Sequence, residues 1–461
     1  MKKTFKNPIL PGFYPDPSIC KKGDYFYLVT STFAYFPGIP IFKSKDLVNW
    51  DRVGNVLDRE EQLPLEGATV SRGIFAPTIR VQGDIFYVVC TNVSHGGNFI
   101  VTAKDPEGPW SNPHYIEGAD GIDPSLFFDD DGKCYYHGTR EKEDGKYYGD
   151  NDIYLQELDL STMKLVGERH IIWNTALKNA VWPEAPHIYK KDGYYYLLIS
   201  EGGTSRDHAI TVARSKNLTD YYTGHKKNPI LTHRHLGNNY PIVNVGHGDL
   251  VETNNNEWWM VLLASRPIEG KSPLGRETFL VPVSWEEGWP VVNYGIGKVL
   301  EEERFPNLEE HKFPPKDYEF ISYNNLENIS YKAVRQEHFN FEVTVDINVT
   351  ENKSGLCIFQ NEKVFYALIL ETGNIEILFG DKVLLESEFS ENKAKLKIIC
   401  ENQKLSFYVN DSLILGNLSM DELSTEVSGG FVGNTVGMYS VDEGFRNFEN
   451  FKYLLLKKHG I

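Results

Sequence analysis

Before Glu301, a polar turn is followed by a short aromatic or β-branched run five times over. This recurrence restricts the fold more than any other feature of the chain. Tyr25-Phe26-Tyr27-Leu28-Val29 follows Gly23-Asp24, and Ile85-Phe86-Tyr87-Val88-Val89 follows Gly83-Asp84. Cys134-Tyr135-Tyr136 follows Asp131-Gly132, Tyr194 to Ile199 follow Asp192-Gly193, and Trp258 to Leu262 follow Asn254-Asn255-Asn256. Each unit is a turn leading into a strand, with a second short apolar run just upstream that makes the unit a hairpin. The starts lie about 50 to 65 residues apart, the scale of a propeller blade with generous loops, so five units predict five blades.

The upstream runs align as Asp16-Pro17-Ser18-Ile19, Ala76-Pro77-Thr78-Ile79, Asp123-Pro124-Ser125-Leu126, Glu184-Ala185-Pro186-His187-Ile188 and Gly248-Asp249-Leu250. The innermost strand of every propeller blade lines the central channel, so matching positions at the starts of these strands converge on one axial pocket. Three of the five carry a carboxylate there: Asp16, Asp123 and Glu184. A single Asp-Pro-Ser reads as an ordinary turn or strand start. Three acids at matching places in a repeat are what glycosidic hydrolysis needs: a proton donor, a base or nucleophile opposite it, and a neighbour that raises the donor's pKa.

The repeat stops near Glu301-Glu302-Glu303-Arg304-Phe305-Pro306, where a Pro-rich charged connector begins. Beyond it the pattern becomes strict alternation, with Phe339, Phe341, Val343, Val345 and Ile347 on one face, and Leu405, Phe407 and Val409 repeating it after Asn402-Gln403. The expected architecture is all-β: a five-bladed β-propeller over residues 1–305, a linker over 306–320 and a C-terminal β-sandwich over 321–461. The 26 Tyr, 26 Phe and 8 Trp then serve chiefly as strand core.

A formal net charge of −17 argues against nucleic acid or an anionic membrane as partner. The five cysteines are odd in number, scattered and without a CxxC pair, which gives neither a disulfide framework nor a zinc site. No apolar stretch follows the basic opening Met1-Lys2-Lys3, and no run reaches membrane-spanning length, so a soluble cytoplasmic protein is expected. Asp129-Asp130-Asp131-Gly132 lacks the spacing of a calcium loop and reads as a β-turn. A homo-oligomer is left open.

Several segments resemble glycoside hydrolase family 43. They are Asn7-Pro8-Ile9-Leu10-Pro11-Gly12-Phe13-Tyr14-Pro15-Asp16-Pro17-Ser18, Tyr35 to Ile41, Ser44 to Trp50, Gly73 to Arg80, Gly121 to Ser125, Trp182 to His187 and Leu274 to Phe279, in order along the first domain. The resemblance is to two-domain β-xylosidases and α-L-arabinofuranosidases, and it implies a five-bladed propeller, a concanavalin-like sandwich and inversion at the anomeric carbon. Asp16 would be the general base, Glu184 the general acid, and Asp123 the group that tunes and positions the acid. Trp182, Pro183, Ala185 and Pro186 around Glu184 favour its protonated form. Arg276 would reach sugar hydroxyls, its alternative being a salt bridge to Glu277 or another acid.

For sugar stacking the candidates are Phe33, Phe75 and Trp182, and Thr204 resembles a pocket-lining residue. Many relatives place Trp where Phe75 stands. His247 falls on the fifth inner strand, either as a channel histidine or as the ligand of a structural calcium; no other cofactor is implied. Gly429-Gly430-Phe431-Val432-Gly433 resembles the sandwich segment that leans over the pocket in relatives, but this sandwich is short for the family, which leaves its closure of the pocket open.

The resulting expectation is an exo-acting enzyme that releases terminal xylose or arabinofuranose from small xylo- or arabino-oligosaccharides. Its rivals are an arabinanase, endo- or exo-acting, and a non-catalytic carbohydrate-binding propeller.

Overall fold

In the computed structural model, residues 3–441 and 444–456 are described; Met1 and Lys2 of the basic opening lie outside them. Five four-stranded antiparallel meanders follow one another. Their innermost strands are Ser18–Lys22, Thr78–Gln82, Ile122–Phe128, Glu184–Lys191 and Val243–Glu252, each hydrogen-bonded to the aromatic-rich strand that follows it. These are the upstream runs that the repeat pairs with its five turns.

Four of those second strands are apolar along most of their length because both of their faces are buried, while Cys134–Glu141 is apolar only over its first three residues. Tyr196 and Leu198 point into the core shared with the fifth blade, and Leu197 and Ile199 into the core shared with the third. The same division recurs around the ring, giving an apolar cluster at each of the five blade junctions, including the closing one where Ile19, Phe26 and Leu28 meet Trp259, Val261 and Leu280. The N-terminal strand Thr4–Lys6 pairs with Glu302–Arg304, and Asn7 both donates to Leu280 O and accepts from Leu280 N, both at 2.9 Å, so the propeller's two ends lock the first blade to the fifth.

On the axis, every blade contributes at least one residue to a single network. Asp249 accepts from Ser18 Oγ at 2.7 Å, Ile19 N at 3.0 Å, Tyr189 Oη at 2.6 Å and Arg80 Nη1 at 2.8 Å. Arg80 Nη2 also donates to His187 Nδ1 at 2.9 Å, which Ser125 Oγ approaches at 3.2 Å.

From residue 305 to residue 320 the chain has no regular strand. A seven-stranded and a five-stranded sheet follow and pack face to face. Phe341, Val343, Val345 and Ile347 point inward from one strand, as the alternation requires; Phe339 lies just before the strand begins. The outer face of the larger sheet packs on the propeller, with Tyr323, Tyr331 and Phe359 meeting Phe13, Tyr35 and Val70. All five cysteines are free and buried. Among the described residues, no helix is long and apolar enough to cross a membrane.

Candidate active site

A cavity of about 450 Å³, in the range of small-molecule sites, opens over the axis. Its lining includes Asp16, Asp123 and Glu184 together with Phe33, Phe75, Trp182, Thr204, His247 and Arg276. Every residue singled out from the sequence therefore meets in one pocket.

Irregular backbone aims the acids inward. The register of the inner strands shifts between Ile122 and Ser125, between Glu184 and His187, and on both sides of Gly246. Such bulges bend a strand and re-aim its side chains. Asp16, Asp123, Ala185 and His247 have φ of 54°, 53°, 51° and 51°, and Phe33 and Trp182 have φ of 51° and 49°. Non-glycine residues seldom adopt this left-handed conformation, which costs about 1–3 kcal/mol each and collects at functional sites. The prolines at 17, 124 and 186 sit just where ladder pairing is given up, so their missing N–H breaks no strand bond.

The three carboxyls differ in their surroundings. Asp16 accepts from Arg276 Nη1 at 2.9 Å and from Ser31 Oγ at 2.5 Å, and His247 Nδ1 lies 3.7 Å away. Burial works to raise its pKa, but Arg276, then His247 and Ser31, outweigh burial and hold it below the usual carboxylate range. Asp123 accepts from the backbone N of Ala185 at 3.1 Å, which ties it to the segment carrying Glu184. Burial, added to by the Asp16 charge, pushes Asp123 up. No hydrogen bond to the Glu184 carboxyl is found among the described residues. Enclosure in the pocket raises this carboxyl well above the ordinary glutamate value, and the charges of Asp123 and Asp16 raise it further.

Arg276 pairs with Asp16, while Glu277, the other partner considered for it, is taken by Arg266 at 2.7 Å. Trp182 is held by its backbone N–H, which donates to Gly149 O at 2.7 Å, with Tyr148 edge-on to its ring at 5.4 Å. His247 takes a channel position beside the acids: its ring faces Asp16, and its backbone N donates to Ser200 Oγ at 2.6 Å. Among the described residues no group of three or more His, Cys, Asp or Glu could hold a metal.

The short sandwich does close the pocket. Phe431 stacks on Phe33 with ring centroids 5.8 Å apart and meets Phe75 edge-on at 6.0 Å. Its N–H donates to Ser71 Oγ at 2.9 Å, and Asn434 N donates to Pro273 O at 3.0 Å. The approach depends on two glycines: a Cβ on Gly433 would stand 2.4 Å from Leu274 O, and one on Gly275 would stand 2.7 Å from Gly433 Cα. Arg72, Tyr148 and Ser205 line the pocket but lie outside every segment read from the sequence. Arg72 stands one residue before a quoted motif, whereas Tyr148 and Ser205 lie in long loops that the repeat does not register.

The sequence profile of glycosyl hydrolases family 43 matches residues 5–290, and that of the β-xylosidase C-terminal concanavalin A-like domain matches residues 319–454. A xylosidase/arabinosidase of Butyrivibrio fibrisolvens is 48% identical over 95% of this chain and 96% of its own length. The non-reducing end α-L-arabinofuranosidase BoGH43B of Bacteroides ovatus is 34% identical over 97% of this chain and 93% of its own. Among solved structures, a xylan β-1,4-xylosidase from Bacillus halodurans superposes with a TM-score of 0.87 at 31% identity, covering 97% of this chain and 99% of that one.

Proposed function

The chain belongs to family 43 of the glycosyl hydrolases, and from that premise we propose that it removes single pentoses, β-D-xylose or α-L-arabinofuranose, from the ends of xylo- and arabino-oligosaccharides with inversion. Glu184 gives its proton to the glycosidic oxygen as the bond to the anomeric carbon breaks. Asp16 takes a proton from a water whose oxygen attacks that carbon from the opposite face. Asp123 keeps Glu184 protonated and in place. Exchange with solvent then returns the proton to Glu184 and removes the one on Asp16.

The observation that carries this division of roles is the split between two carboxyls at one axis. Asp16 is held ionised by Arg276 and Ser31, as a base must be, and Glu184 is enclosed without a partner, as an acid must be. The Phe431 wall supports exo action, since an arabinanase acting within a polymer needs an open groove.

Glu184→Gln tests the assignment. Turnover of xylobiose is expected to fall by about 10²- to 10⁴-fold, the usual contribution of a general acid, and by less on an aryl xyloside whose leaving group needs little protonation. A mutant matching wild type on xylobiose would falsify the acid assignment. Release of α-xylose as the first anomer, followed by NMR, checks inversion, and xylobiose set against arabino-oligosaccharides decides the preferred pentose.

A further inference from the structure

We propose that Arg72 makes the mouth of the pocket selective for a leaving group bearing a uronic acid, so that acidic oligosaccharides are cleaved in preference to neutral ones of the same size. The inference rests on the pentosidase reading above.

The pocket holds two arginines in opposite states. Arg276 is buried and committed to Asp16. Arg72 is exposed at the rim and makes no ion pair among the described residues. Its guanidinium lies 5.9 Å from the centre of the Phe75 ring, and the one hydrogen bond found for its side chain is a long contact of 3.4 Å from Nη2 to Val93 O. Most of its five N–H donors are therefore free.

The backbone beneath Arg72 is firmly held. Arg72 N donates to Thr69 O at 2.8 Å, Gly73 N to Ser94 Oγ at 3.1 Å and Val93 N to Gly73 O at 2.8 Å, while neighbouring Ser71 anchors Phe431. The guanidinium is presented at the mouth from a fixed base. In an exo enzyme, the leaving sugar projects towards this mouth while the terminal pentose sits deep against Asp16.

Two of the three acids below oppose an entering anion little: Asp16 is paired with Arg276, and Glu184 is pushed towards its neutral form. For a pocket that takes oligosaccharides, the fitting anion is the carboxylate of a uronic acid. The planar guanidinium fork matches it with two parallel N–H bonds, which the single point charge of a lysine does not.

The test compares two substrates that differ only in charge. One is a xylosyl-xylose whose leaving xylose carries a glucuronic acid branch, and the other is its carboxyl-reduced analogue with glucose in that place. Wild type at low salt is expected to favour the acidic compound in kcat/KM by about fivefold, the scale of one exposed charge pair, with the preference shrinking as salt is added. Arg72→Gln should bring the ratio of the two kcat/KM values close to one, and Arg72→Lys should keep part of it. An equal ratio in wild type and Arg72→Gln, or a wild type that favours the neutral analogue, overturns the inference and leaves the pentosidase reading intact. Failure of wild type on the neutral analogue, on xylobiose and on arabino-oligosaccharides alike would bring down that reading and the inference with it.

Discussion

Two sets of charged side chains share the propeller axis, one above the other, and they obey opposite rules. In the lower set, Asp249 accepts hydrogen bonds from Ser18, Ile19, Arg80 and Tyr189; burial works to raise its carboxyl, and Arg80, then His187, pull it well below the usual range. In the upper set, Glu184 has no hydrogen-bond partner among the described residues, and burial together with its acidic neighbours raises it. The same geometry, five inner strands converging on one line, produces both. A buried charge that is fully paired holds the ring together. A carboxyl denied a partner keeps its proton available, and that is useful only for chemistry.

Exchanging a single oxygen for nitrogen in each set should break the comparison most clearly. Asp249→Asn removes the negative charge but leaves Arg80 buried, and loss of one partner of a buried pair costs about 3–5 kcal/mol. Denaturant unfolding is expected to register that loss. Glu184→Gln, which replaces a carboxyl whose surroundings favour its neutral form, should leave the unfolding free energy within about 0.5 kcal/mol of wild type even as turnover collapses. If the two variants lose equal stability, the axis is not divided in this way.

Most of the upper set could be read from the chain, because a repeat turns sequence positions into spatial ones. Asp16, Asp123 and Glu184 share a place in the hairpin, and five hairpins share an axis. The lower set was half visible. Asp249 stands in the aligned fifth run, but nothing local to Arg80 or Tyr189 says that they reach its carboxylate. The left-handed φ values of Asp16, Asp123 and His247 were hidden as well, since no glycine marks them and tertiary packing imposes them.

Phe431 was the hardest to place. It lies 155 residues beyond Arg276, whose Nη2 reaches its carbonyl, and only docking of the two domains brings them together. Alternation in the sandwich reports that domain's own core and says nothing about what its loops touch. Phe431→Ala should therefore leave stability almost unchanged, since the side chain is 37% exposed. It should raise KM for disaccharides by about tenfold, the equivalent of about 1.4 kcal/mol of lost contact. Steady-state kinetics on xylobiose measure this directly, and an unchanged KM would mean that the propeller alone forms the terminal-sugar pocket.

The smallest expected effect is the one that probes the electrostatics of the upper set most directly. Enclosure is the largest cause of the raised Glu184 carboxyl, and the Asp123 charge is the next. Asp123→Asn keeps an oxygen at that position but removes the charge, so the ionised form of Glu184 is penalised less and its pKa falls. Glu184 acts protonated, which means activity is lost as pH rises through its pKa. The alkaline limb of kcat/KM should then move to lower pH, by up to about one unit for the 1.4 kcal/mol that a nearby charge supplies. The acid limb belongs to Asp16, which must be ionised, and activity there is lost as pH falls. Taking away the neighbouring charge of Asp123 should carry that limb downward too, but by less, because Arg276 and Ser31 already hold Asp16 ionised. A profile whose alkaline limb stays fixed would leave the Glu184 shift to enclosure and the Asp16 charge and reduce Asp123 to a hydrogen-bond partner of Ala185.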